Sequence, residues 1–167
     1  MAKRENHYES AFEQFLRDRG TPYVAVDEAK RSLTADASLK SLDFIVSPPR
    51  GIKLLVDVKG RKFPSGTRKQ YWKNWAARDD LRSMNEWETL FGDAFAGVLV
   101  FAFAVVGELA PLPTDQLFEH RGMLYGFVGV RSREYAVHAR LVSPKWDAVA
   151  VPTQTFRRVA APIQAFL

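Results

Sequence analysis

The run GVLVFAFAVV, residues 97–106, offers no charged or hydroxyl-bearing side chain to water. A half-exposed strand alternates polar and apolar residues, so a continuously apolar one belongs at the centre of a sheet with a layer on each face. The wider stretch AFAGVLVFAFAVVG is 14 residues long, short of the roughly 20 that cross a bilayer as a helix. The opening MAKRENHYES lacks the apolar segment of a signal peptide, and the chain has no cysteine for disulfides or thiolate metal sites. A soluble cytoplasmic protein with no membrane association is the expectation.

A coarse reading of the 167 residues builds layers around that strand. In residues 5–19, Tyr8, Ala11, Phe12, Phe15 and Leu16 recur at helical spacing before Gly20. PYVAV (22–26) reads as a short strand. SLDFIV (41–46) and IKLLVDVK (52–59) read as a hairpin turned by SPPRG. A helix from Asp79 or Asp80 to Phe91, stopped by Gly92, places Leu81, Met84, Trp87 and Phe91 toward a core. Beyond 106, MLYGFVGV (123–130) reads as a strand and SREYAVHARLV as a helix capped by Ser132. DAVAVP (147–152) is a last strand, followed by a helix interrupted at Pro162. These elements predict one domain over 1–167, an α/β fold with a mixed sheet flanked by helices, its αβββαβ core in 5–106 and C-terminal additions in 107–167.

Charge is uneven along the chain. Residues 1–83 carry 17 Lys or Arg against 11 Asp or Glu, and residues 84–167 carry 7 against 8, so the net +5 belongs to the first half. It concentrates in residues 59–78, where Lys59, Arg61, Lys62, Arg68, Lys69, Lys73 and Arg78 stand without an acid. Beside Gly60, Pro64 and Gly66 these cations read as a mobile basic loop, suited to a phosphate backbone or simply solvated. Tyr71, Trp72 and Trp75 interleave with them and suit either base stacking or core packing.

Three charges interrupt the apolar hairpin. Asp57 and Lys59, two apart on a strand, share a face, and the hairpin can bring Asp43 alongside. A buried carboxylate is costly unless paired or metal-bound. Phosphodiester hydrolysis needs a hard divalent cation on oxygen ligands, a water in line with phosphorus, and positive charge for the transition state. Asp43, Asp57 and the Val58 carbonyl can supply the ligands for Mg²⁺, with Mn²⁺ as a substitute. Lys59 can orient or help deprotonate the water and offset phosphate charge. The same pattern also occurs at solvated sheet edges and in plain ion pairs.

At these residues the chain resembles the PD-(D/E)xK nuclease superfamily, the restriction-endonuclease-like fold, and in pattern its archaeal Holliday junction resolvase-like members. The motif stands here as Leu42-Asp43, a spacer, then Asp57-Val58-Lys59, with Leu42 in place of the usual proline. The resemblance implies a further metal-site acid on the first helix. Glu9 matches it, with Glu13 as the fallback, because Glu9 borders the apolar face of the helical wheel. It thus implies an Mg²⁺-dependent endodeoxyribonuclease, with Glu9, Asp43, Asp57 and Lys59 as its site. Arg61, Lys62, Arg68, Lys69 and Lys73 would grip DNA, and a homodimer is a candidate assembly. The rival reading is a catalytically inactive module of the same fold that binds nucleic acid within a larger repair, transposition or defence assembly.

Other chemistries lack support. GRKFPSGTRK has the wrong glycine spacing for a phosphate-binding loop, and no dinucleotide, hydrolase-elbow or zincin motif occurs, so no nucleotide cofactor is expected. His7, His120 and His138 lie far apart and read as structural or surface residues. Arg140, Ser143, Lys145 and Trp146 read as a turn anchored by the tryptophan, or as a second phosphate contact.

Overall fold

The computed structural model describes residues 6–26, 32–34 and 37–167. Helix α1 (His7–Asp18) starts at Asn6, whose side chain accepts the Tyr8 N–H, and buries Ala11, Phe12, Phe15 and Leu16. Strand β1 (Tyr23–Ala25) follows, then a small hairpin of β2 (Ser32–Thr34) and β3 (Ala37–Leu39), absent from the sequence reading. Next come β4 (Phe44–Val46), β5 (Lys53–Phe63), the short β6 (Ala76–Ala77), α2 (Arg78–Phe91) and β7 (Phe95–Val105). The second half holds β8 (Phe118–His120), β9 (Met123–Arg131), α3 (Ser132–His138), β10 (Arg140–Ser143), β11 (Ala148–Ala150), α4 (Thr153–Val159) and β12 (Ala161–Pro162).

The main sheet runs β1-β4-β5-β7-β9-β12, with β8 on β9. Only β5 and β7 pair in parallel, in continuous register from Lys53 opposite Phe95 to Phe63 opposite Val105. A parallel pair needs a crossover, and α2 provides it. The apolar run of β7 is covered on both sides. Val98, Val100, Ala102 and Ala104 pack with Phe12, Phe15 and Leu16 of α1. Leu99, Phe101 and Phe103 pack with Tyr135 of α3 and Phe156 of α4. The αβββαβ order is present as α1, β1, β4, β5, α2 and β7. Position 106 is no structural seam, since β9 pairs with β7 from Val98–Arg131 to Ala104–Tyr125. No helix among the described residues is long and apolar enough to cross a membrane.

Several boundaries differ from the sequence reading for physical reasons. Strand β5 continues to Phe63, because β7 pairs with it along its whole length and supplies the hydrogen bonds that a loop would have left to water. The helix read through SREYAVHARLV stops at His138. Ala139 is extended, and residues 140–143 pair with β11 in a small sheet that ends on β6, so 147–152 does not join the main sheet. Ser132 is the first residue of α3 rather than its cap, and its hydroxyl donates to the buried Glu88. Glu88 also accepts the Gly97 N–H at 2.5 Å and the Arg133 guanidinium at 2.6 Å, fixing α2 to β7 and α3. Phe91 remains 37% exposed, its ring tilted against that of Phe95 at the rim instead of entering the core.

Candidate active site

Register in the β4–β5 hairpin places Asp43 directly across from Asp57, one step beyond the Phe44–Val56 pair. The Asp43 N–H donates to the Val56 carbonyl at 3.0 Å. Its carboxylate accepts the Val58 N–H at 2.6 Å. Strand β4 and Asp43 thus complete the hydrogen bonding of one β5 edge only as far as Val58. The N–H and C=O of a strand residue point the same way, so the Val58 carbonyl faces that same gap. The Asp43 and Asp57 side chains line one cavity.

Beyond the pair, side chains alternate. Lys59 shares the face of Asp57, and its Nζ lies 2.9 Å from Asp57 Oδ2 and 2.9 Å from Asp80 Oδ2. Asp80 was missing from the sequence-derived site. It sits in the first turn of α2, where Oδ2 also accepts the Ala77 N–H at 3.0 Å and Oδ1 accepts from Lys40 Nζ at 2.8 Å. Lys40 is held in turn, its carbonyl accepting from Trp87 Nε1 and its N–H donating to Ser83 Oγ. An acid at a helix start reads as an ordinary cap, and the available signal was that α2 follows the Asp-x-Lys strand and starts over its face.

Glu9 joins from the other layer. Helix α1 packs on the face of Val56 and Val58, opposite to Asp57 and Lys59, yet Glu9 lines the same cavity of about 240 Å³ as Asp43, Asp57, Val58, Lys59 and Asp80. It is buried, and Asn6 donates to it at 2.7 Å. Glu13, the fallback, instead accepts from the Tyr23 hydroxyl and Arg17. Gly60 permits this approach, because a Cβ there would lie inside the Tyr8 ring. Gly60→Ala is therefore expected to lose about 1–3 kcal/mol in urea unfolding as the start of α1 is pushed off the strand. A variant as stable as the wild type would contradict that packing.

Electrostatics sort the three close charges. Burial raises the Asp57 carboxyl above the usual range, outweighing the nearby Lys59 ammonium that lowers it, and the Asp80 carboxylate adds to the rise. Burial opposes the charge on Lys59, but Asp57 and Asp80 hold its ammonium protonated well above the lysine range. Asp80, despite its own burial, is held low by Lys59 and Lys40. Asp57 and Lys59 are therefore not a simple ion pair. Lys59 is satisfied by two carboxylates, and Asp57 is the one left with an unfavourable charge. Two carboxyls opposite each other in one cavity, one of them raised, want a shared proton or a cation between them. All the donors are oxygens, the set preferred by hard divalent cations, so the residues fit such an ion. Among the described residues no three His, Cys, Asp or Glu side chains converge closely enough to hold one by themselves. A cation here would draw on Asp43, Asp57, backbone carbonyl oxygen and water, with Glu9 on the cavity wall.

The basic residues divide. Arg61 is not on a loop; it lies on β5, donates to the Gly60 and Trp75 carbonyls, and stacks 4.1 Å over the Trp75 ring. Lys62, Arg68 and Lys69 are exposed, the last two on a turn closed by Ser65–Gln70 backbone bonds, and Lys73 is half-buried. That segment is pinned, not free. Trp72 and Tyr71 pack on Phe63, and buried Asn74 clasps the Val151 backbone through both its N–H and C=O. The histidines are all engaged, His7 with the Tyr125 hydroxyl, His120 with Ser10 and His138 with Glu134.

No protein-family model matches the chain, and a comparison with curated protein sequences finds no match. Among solved structures, Hjc of Archaeoglobus fulgidus, a Holliday junction resolvase from an archaeal hyperthermophile, superposes with a TM-score of 0.57 at 11% identity. The match covers 96% of this chain and 97% of that one. The chain has the restriction-endonuclease-like fold. The match extends through the C-terminal elements, where the sequence resemblance had ended at about residue 106. Asp43 and the Asp57-Val58-Lys59 triplet lie where β4 begins against β5, around one cavity.

Proposed function

We propose that this chain is a metal-dependent nuclease that hydrolyses DNA phosphodiester bonds. The observation that carries the reading is that Asp43 and Asp57 lie opposite each other on two strands and line one cavity with charged Lys59. Asp43, Asp57 and the Val58 carbonyl would hold Mg²⁺ or Mn²⁺, and Glu9 would contribute through water. When bound, the cation would polarise a phosphoryl oxygen and lower the pKa of an attacking water. Lys59, kept protonated by its two carboxylates, serves as a hydrogen-bond donor to water or phosphate oxygen rather than as a proton acceptor. Asp80 positions Lys59 and touches no substrate. Lys62, Arg68 and Lys69, facing solvent beyond the cavity, and the half-buried Lys73 supply backbone affinity, with Arg61 acting as a brace between β5 and the Trp75 segment. Two copies cutting both strands would follow the habit of this fold.

Mn²⁺ titration followed by electron paramagnetic resonance, paired with DNA binding at several salt concentrations, tests this reading. The expected results are Mn²⁺ uptake that is lost in Asp43→Asn, and affinity that falls with salt by roughly 0.9 in log slope per phosphate contacted. Absence of both metal and DNA binding would refute it. Salt-sensitive DNA binding without metal uptake would support the inactive binding module instead.

A further inference from the structure

A cavity of about 920 Å³ lies apart from the acidic one. It opens between the Gln70–Trp75 segment and the β10–β11 hairpin, and its lining includes Trp72, Trp75, Val142 and Trp146. Trp146 is 72% exposed, Val142 57% and Trp75 44%. Trp146 therefore does not anchor its turn, and a tryptophan left in water beside two more apolar residues marks a contact surface.

Three further observations identify what it contacts. The rim is cationic: Lys73 lines it, Arg68 and Lys69 stand on the adjoining turn, and Lys145 Nζ lies 5.2 Å from the Trp146 ring centroid. Asp147, next to Trp146, is paired with Arg78 at 3.2 Å. The groove is also joined to the candidate catalytic strand. Arg61, two residues beyond Lys59 on the same face of β5, stacks on Trp75. Flat aromatic surfaces flanked by lysines match a nucleic-acid strand whose bases are unpaired, since stacking needs a free π-face and the lysines meet the phosphates. A closed duplex hides its base faces, and an acidic protein segment would leave the tryptophan faces without planar partners.

The geometry points to a binding site for single-stranded nucleic acid in this groove, with bases stacked on Trp146 and Trp75 and the backbone running along Lys73 and Lys145 toward Lys59. The inference rests on the nuclease reading and narrows its substrate to DNA with an unpaired segment beside the cleaved bond. Gln70 and Ser143, both on the lining, offer polar groups to base edges.

The test is fluorescence anisotropy in EDTA, where no metal-dependent cutting occurs, comparing a blunt duplex with the same duplex bearing a short oligothymidine tail. The wild type is expected to favour the tailed duplex by about tenfold or more, and Trp146→Ala to cut that ratio to about threefold or less. Val142→Glu, which places a negative charge on the exposed rim, is expected to do the same without removing an aromatic. Circular dichroism confirms that both variants are folded. A wild type that binds both duplexes equally, or a tail preference that survives both substitutions, overturns the groove assignment while leaving the nuclease reading intact, and a protein occupant then becomes the explanation for Trp146. A wild type that binds neither DNA overturns both.

Discussion

Asp57→Asn is expected to abolish DNA cleavage, by three orders of magnitude or more, while leaving the folded state as stable as the wild type or more so. Most substitutions at a buried charge do the opposite. The difference follows from the balance at this position: burial and the Asp80 carboxylate together outweigh the pull of Lys59, so the ionised Asp57 is a cost to the fold. Asparagine removes that cost and preserves the shape of the side chain. Lys59 keeps Asp80 at 2.9 Å and remains paired. The sign can be followed with pH. A folded-state pKa above the unfolded 3.8 means that the native protein binds more protons between those values, so this group's contribution to stability falls as pH rises through the window. The advantage of Asp57→Asn in urea unfolding should thus be present at pH 7 and fade as pH falls below the unfolded 3.8. A variant that loses stability at pH 7 would show that Asp57 serves the fold through Lys59, and its missing activity would then say nothing about catalysis.

Asp80→Ala should behave in the reverse way, with a loss of about 2–3 kcal/mol in stability and a smaller, partial loss of cleavage. Asp80 receives one backbone N–H at the start of α2 and two lysines, and removing it leaves Ala77 uncapped and Lys59 with one carboxylate instead of two. Its folded pKa is depressed, so its contribution is present above 3.8 and disappears as pH falls through the folded value. The stability gap between variant and wild type should therefore close in acid. Cleavage should survive in part, because Asp43, Asp57 and Lys59 all remain. With the Asp80 charge gone, Asp57 should ionise more easily, which shifts the cleavage profile toward lower pH. Equal stability at pH 7 would contradict the bridging role. Full loss of cleavage in a folded variant would move Asp80 from a positioning residue to a direct one.

The contrast between these two acids also shows what was legible in the sequence. Strand periodicity and the Pro-Pro-Arg-Gly turn were enough to put Asp43, Asp57 and Lys59 together, because a hairpin is local and its register follows from the turn. The central place of 97–106 was legible from its composition, and the αβββαβ order followed. Asp80 and Lys40 were not legible as parts of the cavity. Each lies in a segment whose own periodicity is satisfied without it, and only the packing of α2 over β5 brings them to Lys59. The KGRKF end of β5 read as a loop because glycine and cations are poor strand formers in isolation. Parallel pairing with β7 and the Tyr8 ring over Gly60 override that preference. Trp146 was read as an anchor because tryptophan is usually well covered, and its exposure depends on a hairpin that the sequence reading had merged into a helix.

The most direct measurement is strand cleavage of a labelled panel of plasmid, single-stranded, flapped and four-way-junction DNA, in Mg²⁺, in Mn²⁺ and in EDTA, with Asp57→Asn alongside. Cutting by the wild type is expected to require metal and to be absent from the folded variant. No cutting of any substrate in either metal, or equal cutting by Asp57→Asn, would contradict the nuclease reading.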